Sequence, residues 1–231
     1  MNFARSGAMV AIAAGAIACT TTTAVADSVT YNDALGMDFF PGLGNTNTNF
    51  VINRIAEPGG NNIELALKTK KRQGADGATP SYGDGVYSVQ PGSQVGNPNR
   101  WWWNFEYSIA LGDRTLANTD LVLNIDFDND AHPAQSINLN TLFAGDDSNV
   151  FAESGIANLF QNSKNFAFTS EFGTDYDRNA VGTYTFELVA YDSVTAGELG
   201  AVTMRTVVVP LPSAAGMALA GVGMIGLRRR R

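Results

Sequence analysis

Residues 101–111 read WWWNFEYSIAL, and this stretch decides the fold class. Its large apolar side chains stand at every second position, at Trp103, Phe105, Tyr107, Ile109 and Leu111. The intervening positions form the other face, with Trp102, Asn104, Glu106, Ser108 and Ala110. Because successive side chains of a β-strand point to opposite faces, this period of two predicts a long strand with one face in a hydrophobic core.

The same alternation recurs on both sides of this stretch. It predicts further strands at 63–67, 121–127, 184–190 and 202–208, and weaker ones at 50–54, 86–89, 136–142 and 165–168. Clusters of Gly, Asn, Asp and Pro predict loops at 42–49, 58–61, 74–85 and 91–99. Among these elements, residues 150–160 have the apolar spacing of a helix. We therefore expect an all-β domain over residues 27–206, an antiparallel β-sandwich with a jelly-roll-like arrangement.

Residues 1–26 match a secretory signal peptide. Arg5 supplies the positive start, residues 8–19 supply the apolar stretch, and Ala24-Val25-Ala26 is a small-x-small cleavage site. We expect cleavage after Ala26, so that the mature chain begins at Asp27. Because this segment has no twin-arginine pair, the Sec machinery is the expected export route.

A lipoprotein signal is the alternative interpretation of the same segment, with Ala16-Ile17-Ala18-Cys19 as the lipidation box. Ala16 stands where such boxes usually carry Leu, and the ordinary cleavage site competes with this one. Cys19 is the only cysteine of the sequence, so ordinary cleavage leaves a mature chain without thiols. The remaining domain is long enough to bury one core without disulfides.

Residues 207–231 contain three elements in order. They are the motif Val209-Pro210-Leu211-Pro212, the uncharged run AAGMALAGVGMIGL at 214–227, and the cluster Arg228, Arg229, Arg230 and Arg231. The run is short for a membrane span, which needs about 20 apolar residues, and the prolines interrupt a helix that would extend it. The arginines favour a cytoplasmic end under the positive-inside rule. A last core strand followed by a disordered tail is the alternative.

This tail resembles the PEP-CTERM sorting signals of bacteria, in which Val-Pro-Glu-Pro precedes a hydrophobic helix and a basic end. Leu211 stands where that family most often has Glu, so the tail is similar to a Val-Pro-Leu-Pro variant. The resemblance implies an exosortase-type processing enzyme, a transient anchor in the inner membrane and cleavage near Pro212. It also implies a final place in the cell envelope, at the cell surface or in the extracellular matrix with exopolysaccharide. The departure at Leu211 leaves open which enzyme reads the signal.

Three stretches of the domain also resemble uncharacterised exported β proteins that carry such tails. They are WNFEYS at 103–108, FQNSKN at 160–165 and GTYTFEL at 182–188. This second resemblance implies a single β domain and brings no known activity with it.

The charge of the domain argues against a nucleic-acid partner. Five of the 15 basic residues lie in the two targeting segments, which contain no acid, so 10 basic face 22 acidic residues in the domain. Binding to phosphates needs a basic surface instead. The cationic cluster of Lys68, Lys70, Lys71 and Arg72 is expected in solvent at a strand end and loop. Contact with an anionic polysaccharide is the alternative for this cluster.

Residues 126–130, DFDND, form the candidate metal site, and calcium is the candidate cofactor. Alternate spacing aims Asp126, Asp128 and Asp130 the same way, and carboxylate oxygens suit Ca²⁺. The stretch does not fit an EF-hand loop, because Ala131 stands where Gly is needed and Ile137 where the bidentate Glu belongs. Asp146 and Asp147 are further possible ligands of a looser site. An acidic strand end that holds no cofactor is the favoured interpretation.

Trp101-Trp102-Trp103 is the candidate glycan-binding stretch, because exposed aromatic rings can stack on sugar faces. The favoured interpretation places Trp101 and Trp103 in the core and Trp102 on the opposite face of the sheet.

The sequence offers no specific catalytic constellation. His132 is the only histidine, so neither a Ser-His-Asp arrangement nor a zinc site with several imidazoles can be built. Paired carboxylates such as Glu106 and Asp126 leave a polysaccharide hydrolase as one alternative. We expect a non-enzymatic envelope or matrix protein. A carbohydrate-binding module, calcium-dependent or not, is the other alternative.

Overall fold

The computed structural model describes residues 28–36, 47–71, 83–94, 97–128, 134–145, 158–165 and 176–210. These residues form strands and one helix, in the order β1 (Ser28–Asp33), β2 (Phe50–Ile55), β3 (Ile63–Lys71), β4 (Val86–Val89), β5 (Ser93–Gln94), β6 (Asn97–Trp101), β7 (Trp103–Ala110), β8 (Thr119–Phe127), β9 (Gln135–Asn138), α1 (Leu139–Gly145), β10 (Leu159–Lys164), β11 (Gly182–Asp192) and β12 (Glu198–Val208).

Ten of the strands form two five-stranded sheets. Sheet A has the order β1-β2-β3-β7-β10, sheet B has the order β4-β12-β11-β8-β9, and β5 and β6 pair separately. Neighbouring strands are antiparallel except β4 and β12, which are parallel. The all-β sandwich predicted from the sequence is confirmed. The jelly-roll-like order is not reproduced, because β1, β2 and β3 follow one another within sheet A instead of forming the Greek keys of a jelly roll.

The hydrophobic core lies between the two sheets. The face of β7 predicted to be apolar is buried there, at Trp103, Phe105, Tyr107 and Ile109, and so is Leu111 directly after the strand. Each of these residues is at most 2% exposed. Aromatic contacts join the sheets, with ring centroids 5.4 Å apart for Trp103 and Tyr184 and 5.0 Å apart for Phe105 and Phe186. Each large side chain buried in this way stabilises the fold by about 1.5–3 kcal/mol.

The predicted strand at 136–142 is wrong in its second half. Strand β9 ends at Asn138, and α1 begins at Leu139. The Asn138 side chain caps this helix, because its Oδ1 accepts a hydrogen bond from the backbone N–H of Thr141 at 3.2 Å. Leu139 and Phe143, four residues apart on one helical face, are buried in the core.

The helix predicted to extend through Phe160 is also wrong where the structure describes it. Residues 159–164 form β10, which pairs with β7 along its whole length. Residues 150–157 and 166–168 lie outside the described residues, so the rest of that helix and the strand at 165–168 stay predictions. Pairing with the central strand outweighs the local helical spacing.

Three further strands were missed. Strand β1 begins at Ser28, shortly after the predicted signal peptide. Strand β5 lies in the stretch predicted as a loop at 91–99, and β6 begins in it at Asn97 and ends at Trp101. Strand β12 includes Val207 and Val208, which the predicted boundary assigned to the tail. Among the described residues, no helix is long and apolar enough to cross a membrane.

The turn that follows β7 depends on Gly112. Its φ is +59°, and a Cβ at this position would contact the carbonyl oxygens of Asn61 and Asn62. Gly60 also has a positive φ, of +90°, but a Cβ there would meet nothing within 4 Å. A comparison of substitutions at the two glycines therefore distinguishes the cost of backbone strain from the cost of steric crowding.

We predict that Gly112→Ala destabilises the protein more than Gly60→Ala. The positive φ costs an L-residue about 1 kcal/mol at either position, and the clash adds a further 1–3 kcal/mol at Gly112. Chemical denaturation of the two variants measures the difference. Equal losses would show that the loop of Asn61 and Asn62 moves aside without cost.

Asp192 organises the connection between β11 and β12. Its Oδ1 accepts hydrogen bonds from the backbone N–H groups of Val194 at 3.0 Å and Thr195 at 2.9 Å. Its Oδ2 accepts one from Arg114 at 2.9 Å. The backbone hydrogen bond from Thr195 and the contact with Arg114 are the main causes that lower the pKa of Asp192 to about 2.

The lowered pKa of Asp192 determines the pH range in which this turn is stabilised. Because the folded pKa lies below the usual value of 3.8, the stabilisation is complete above about pH 5 and is lost progressively as the pH falls toward 2. We predict that Asp192→Asn, which cannot titrate, flattens the fall of Tm between pH 4 and 2 relative to the unmodified protein. Parallel slopes for the two proteins would contradict this role of Asp192.

Candidate functional site

The predicted sorting motif begins where sheet B ends. Strand β12 ends at Val208, and the backbone N–H of Val209 donates to Val89 O at 2.9 Å. Val209 and Pro210 are exposed. The rest of the predicted tail, which includes Leu211, Pro212 and Arg228 to Arg231, lies outside the described residues, as does the predicted signal cleavage site at Ala24, Ala26 and Asp27.

Trp101 and Trp103 are core residues. They are 5% and 1% exposed, and their rings make an edge-to-face contact at 5.6 Å. Both rings also contact Tyr184, at 6.1 Å and 5.4 Å. Neither ring therefore offers a face on which a sugar could stack.

Trp102 differs from its two neighbours. It lies at a bend between β6 and β7 and is half-buried. Its backbone N–H donates to Gly92 O at 3.2 Å, and a Cβ on Gly92 would lie 3.6 Å from Cδ1 of the indole. A cavity of about 170 Å³ beside it is lined by Lys71, Val89, Gln90, Trp102 and Trp103. Of the predicted glycan-binding stretch, Trp102 is the residue whose ring borders a cavity and stays partly accessible.

The aspartates at the end of β8 lie in solvent where the structure describes them. Asp126 and Asp128 are exposed and flank the buried Phe127, as the alternation predicted, while Asp130 lies outside the described residues. Asp146, Asp147 and His132 also lie outside them. Among the described residues, no three His, Cys, Asp or Glu side chains are grouped so that they could hold a metal ion.

The two aspartates border the outer face of sheet B. Strand register places Val86, Arg205, Thr185 and Asp126 in one row across β4, β12, β11 and β8. The next row contains Ser88, Val207 and Thr183, and the Asp128 N–H donates to Thr183 O at 3.0 Å beside it. A cavity of about 410 Å³ lies here, lined by Val86, Asp128, Thr183, Thr185, Arg205 and Val207. The rows were not predicted, because they require β4 and β8 to lie on either side of the β11–β12 hairpin, and those two strands are distant from it in sequence.

The predicted solvent position of the cationic cluster is wrong for Lys68 and Lys70. Both are buried, at 2% and 9% exposure, on the face of sheet A that points away from the main core. Glu106, fully buried between them, forms ion pairs with Lys68 at 3.1 Å and with Lys70. The Lys68 ammonium also donates to Thr48 O at 3.0 Å and lies 4.4 Å from the Phe50 ring. Burial lowers the pKa of Lys68, and Glu106 opposes that shift.

Further polar side chains continue this layer across sheet A. Asn104 donates to Ser163 at 2.8 Å and accepts from Asn165 at 2.7 Å, while Gln161 donates to Ser108 at 2.9 Å. At the other end, Arg54 bridges Glu64 at 2.9 Å and Asp33 at 3.0 Å. The hydrogen bond from Arg54 is the largest cause that holds the pKa of Asp33 below its usual value.

This layer has a sequence signal that alternation alone did not reveal. Lys68 and Glu106 are direct cross-strand neighbours in the β3–β7 register, and Lys70 is paired with Asn104. Opposite charges at adjacent positions of two predicted strands point to such a pair once the strands are known to be neighbours. Lys68, Lys70 and Glu106 are buried and paired with one another, which fits a role in stabilising the sheet.

Comparisons with protein-family models, with curated proteins and with solved structures found no match to this chain. The candidate sites therefore depend on their own geometry and on the sequence motifs.

We predict that Glu106→Gln destabilises the protein by about 3–5 kcal/mol, because it leaves two buried ammonium groups without their carboxylate. Glu187→Gln is the matched control, since Glu187 accepts one hydrogen bond from Asn124 at 2.9 Å on the half-buried outer face of sheet B. That control should change stability by less than about 1 kcal/mol.

A triple variant, Lys68→Met with Lys70→Met and Glu106→Leu, tests the same cluster from the other side. Removing all three charges avoids the unpaired state, so it should be more stable than Glu106→Gln alone. Urea denaturation measures all three proteins. A triple variant less stable than Glu106→Gln would show that the ion pairs contribute net stability.

Proposed function

We propose that this chain is an exported, non-enzymatic β-sandwich protein of the cell envelope or extracellular matrix, sorted through its C-terminal tail. The observation that carries the proposal is the ordered motif of residues 209–231: a paired-proline motif, an uncharged apolar run and four arginines. The positions in the chain at which the β-sandwich begins and ends support it. Strand β1 begins at Ser28, one residue after the predicted mature start, and β12 ends at Val208, directly before the proline motif.

The proposed processing is compatible with an intact domain. Strand β12 is paired with β4 on one side and with β11 on the other, and Val209 makes the last backbone contact described above. Pro210 is exposed and stands beyond that contact. A cut near Pro212 by an exosortase-type enzyme would therefore remove the transient membrane anchor without removing a strand of either sheet.

A carbohydrate-binding module is the second candidate function. The cavity beside Trp102 supports it, because a partly accessible indole lies next to the side chains of Gln90 and Lys71. An aromatic face with nearby hydrogen-bonding groups is a common arrangement in small-molecule sites. A calcium-dependent form would use Asp126 and Asp128, with Asp130 as a third carboxylate from the same stretch.

The sorting proposal predicts the mass of the protein recovered from the producing cells. The intact mass should correspond to a chain that starts at Asp27 and lacks Arg228 to Arg231, because both targeting segments are removed. Recovery of a chain that still ends at Arg231 would refute the proposal.

Two tail variants test whether processing depends on the charge of the four arginines or on arginine itself. Replacing the four arginines by serine removes the charge that holds the tail at the cytoplasmic face, so we predict unprocessed protein and a loss of membrane-associated precursor. Replacement by lysine keeps the charge and is the matched control, with processing expected to continue. Mass spectrometry and fractionation of the cells provide the measurement, and equal processing of both variants would contradict a role for the charge.

A further inference from the structure

The two rows on the outer face of sheet B differ from the rest of that face in how their polar groups are satisfied. One row further along, Asn124 and Glu187 are cross-strand neighbours and share a hydrogen bond of 2.9 Å. By contrast, the side chains of Asp128, Thr185 and Arg205 make no hydrogen bond or ion pair in the part of the chain that the structure describes. The polar groups of the cavity therefore remain available to a ligand.

The cavity is lined by acidic, basic, hydroxyl and apolar side chains, which are arranged in two rows. Each row places a threonine hydroxyl of β11, at Thr185 or Thr183, next to an aspartate on the β8 side. On the β12 side, the first row carries Arg205 and the second carries Val207. Arginine donates hydrogen bonds, carboxylates accept them and hydroxyls do both. Half-buried Val86 and Val207 add apolar surface.

The dimensions suit an extended ligand. The rows cross four neighbouring strands, and three inter-strand spacings span about 14 Å. The cavity between them measures about 410 Å³ and opens on the outer face of the sheet. A chain molecule can therefore lie across the strands and meet both rows at once.

We propose that this outer face of sheet B, centred on Arg205, Thr185 and Asp128, binds a neutral polysaccharide chain. Sugar hydroxyls donate to the aspartates and accept from Arg205, and the C–H faces of the rings pack on the two valines. Asp126 and Asp128 outnumber Arg205 at this surface, so a uronate or phosphate group meets net repulsion. The inference rests on the proposed export to a polysaccharide-rich envelope or matrix, and it places carbohydrate binding away from Trp102.

The test is binding of the full protein, as recovered from the producing cells, to dextran, xylan and galactomannan, with alginate as the acidic probe. We expect binding to at least one of the neutral chains, measured by affinity electrophoresis and calorimetry. Arg205→Gln should weaken it about tenfold and Thr185→Val about threefold, as expected for one charged and one neutral hydrogen bond. Thr203→Val is the matched control, because Thr203 is exposed on the same face of β12, one row away, opposite Glu187.

Each other outcome overturns the inference. Binding that is lost in Trp102→Ala but unchanged in Arg205→Gln would place the sugar at the Trp102 cavity. Preference for alginate would contradict the charge argument, and loss of binding in a chelator would assign the aspartates to a cation. Absence of binding to every probe would also refute it. Thermal unfolding of each variant confirms that the fold is retained.

Failure of the sorting proposal would be recognised separately. It is read from the mass of the recovered protein, whereas polysaccharide binding can be measured whether or not the tail is present.

Discussion

The fold depends on burying both faces of the central strand pair in sheet A. Strands β3 and β7 each have neighbours on both sides, and nearly every residue of the pair is buried. One face of the pair is apolar and packs against sheet B. The other carries Glu106 with Lys68 and Lys70. A charge placed there is tolerated because its partner is held opposite by strand register, and removing water from these groups makes correct pairing a requirement.

Because of this constraint, the strand register of sheet A is specified more strictly than that of sheet B. A shift of the β3–β7 register by one residue would move the charges into the main core and the aromatic side chains out of it. The polar layer therefore specifies one strand register, in addition to the ion pairs that it forms. Sheet B has no such requirement on its outer face, where alternate residues are exposed or half-buried. Its outer face is consequently free to carry a binding surface without disturbing the core.

Much of the sandwich could be predicted from alternation alone. Strands β7, β8, β11 and β12 have a clear period of two, and their inward residues form the core. The pattern was insufficient at 136–145, where β9 ends at Asn138 and a helix capped by that residue begins. It was also insufficient at Leu159 and Phe160, which form a strand because they pair with β7. It also misplaced Lys68 and Lys70, because alternation separates two faces but does not say that the second face is covered. The outer rows of sheet B were not predicted, because β4 and β8, which flank the β11–β12 hairpin, are distant from it in sequence.

The parallel pairing of β4 with β12 has a mechanical consequence. Strand β12 is bonded along its length to β11, and its last four residues are bonded to β4 as well. The hydrogen bonds lie across the strand direction, so tension applied at Pro210 along β12 loads many of them together. The end of β12 at Val208 is thus a point of the domain where tension along the strand is shared by many hydrogen bonds.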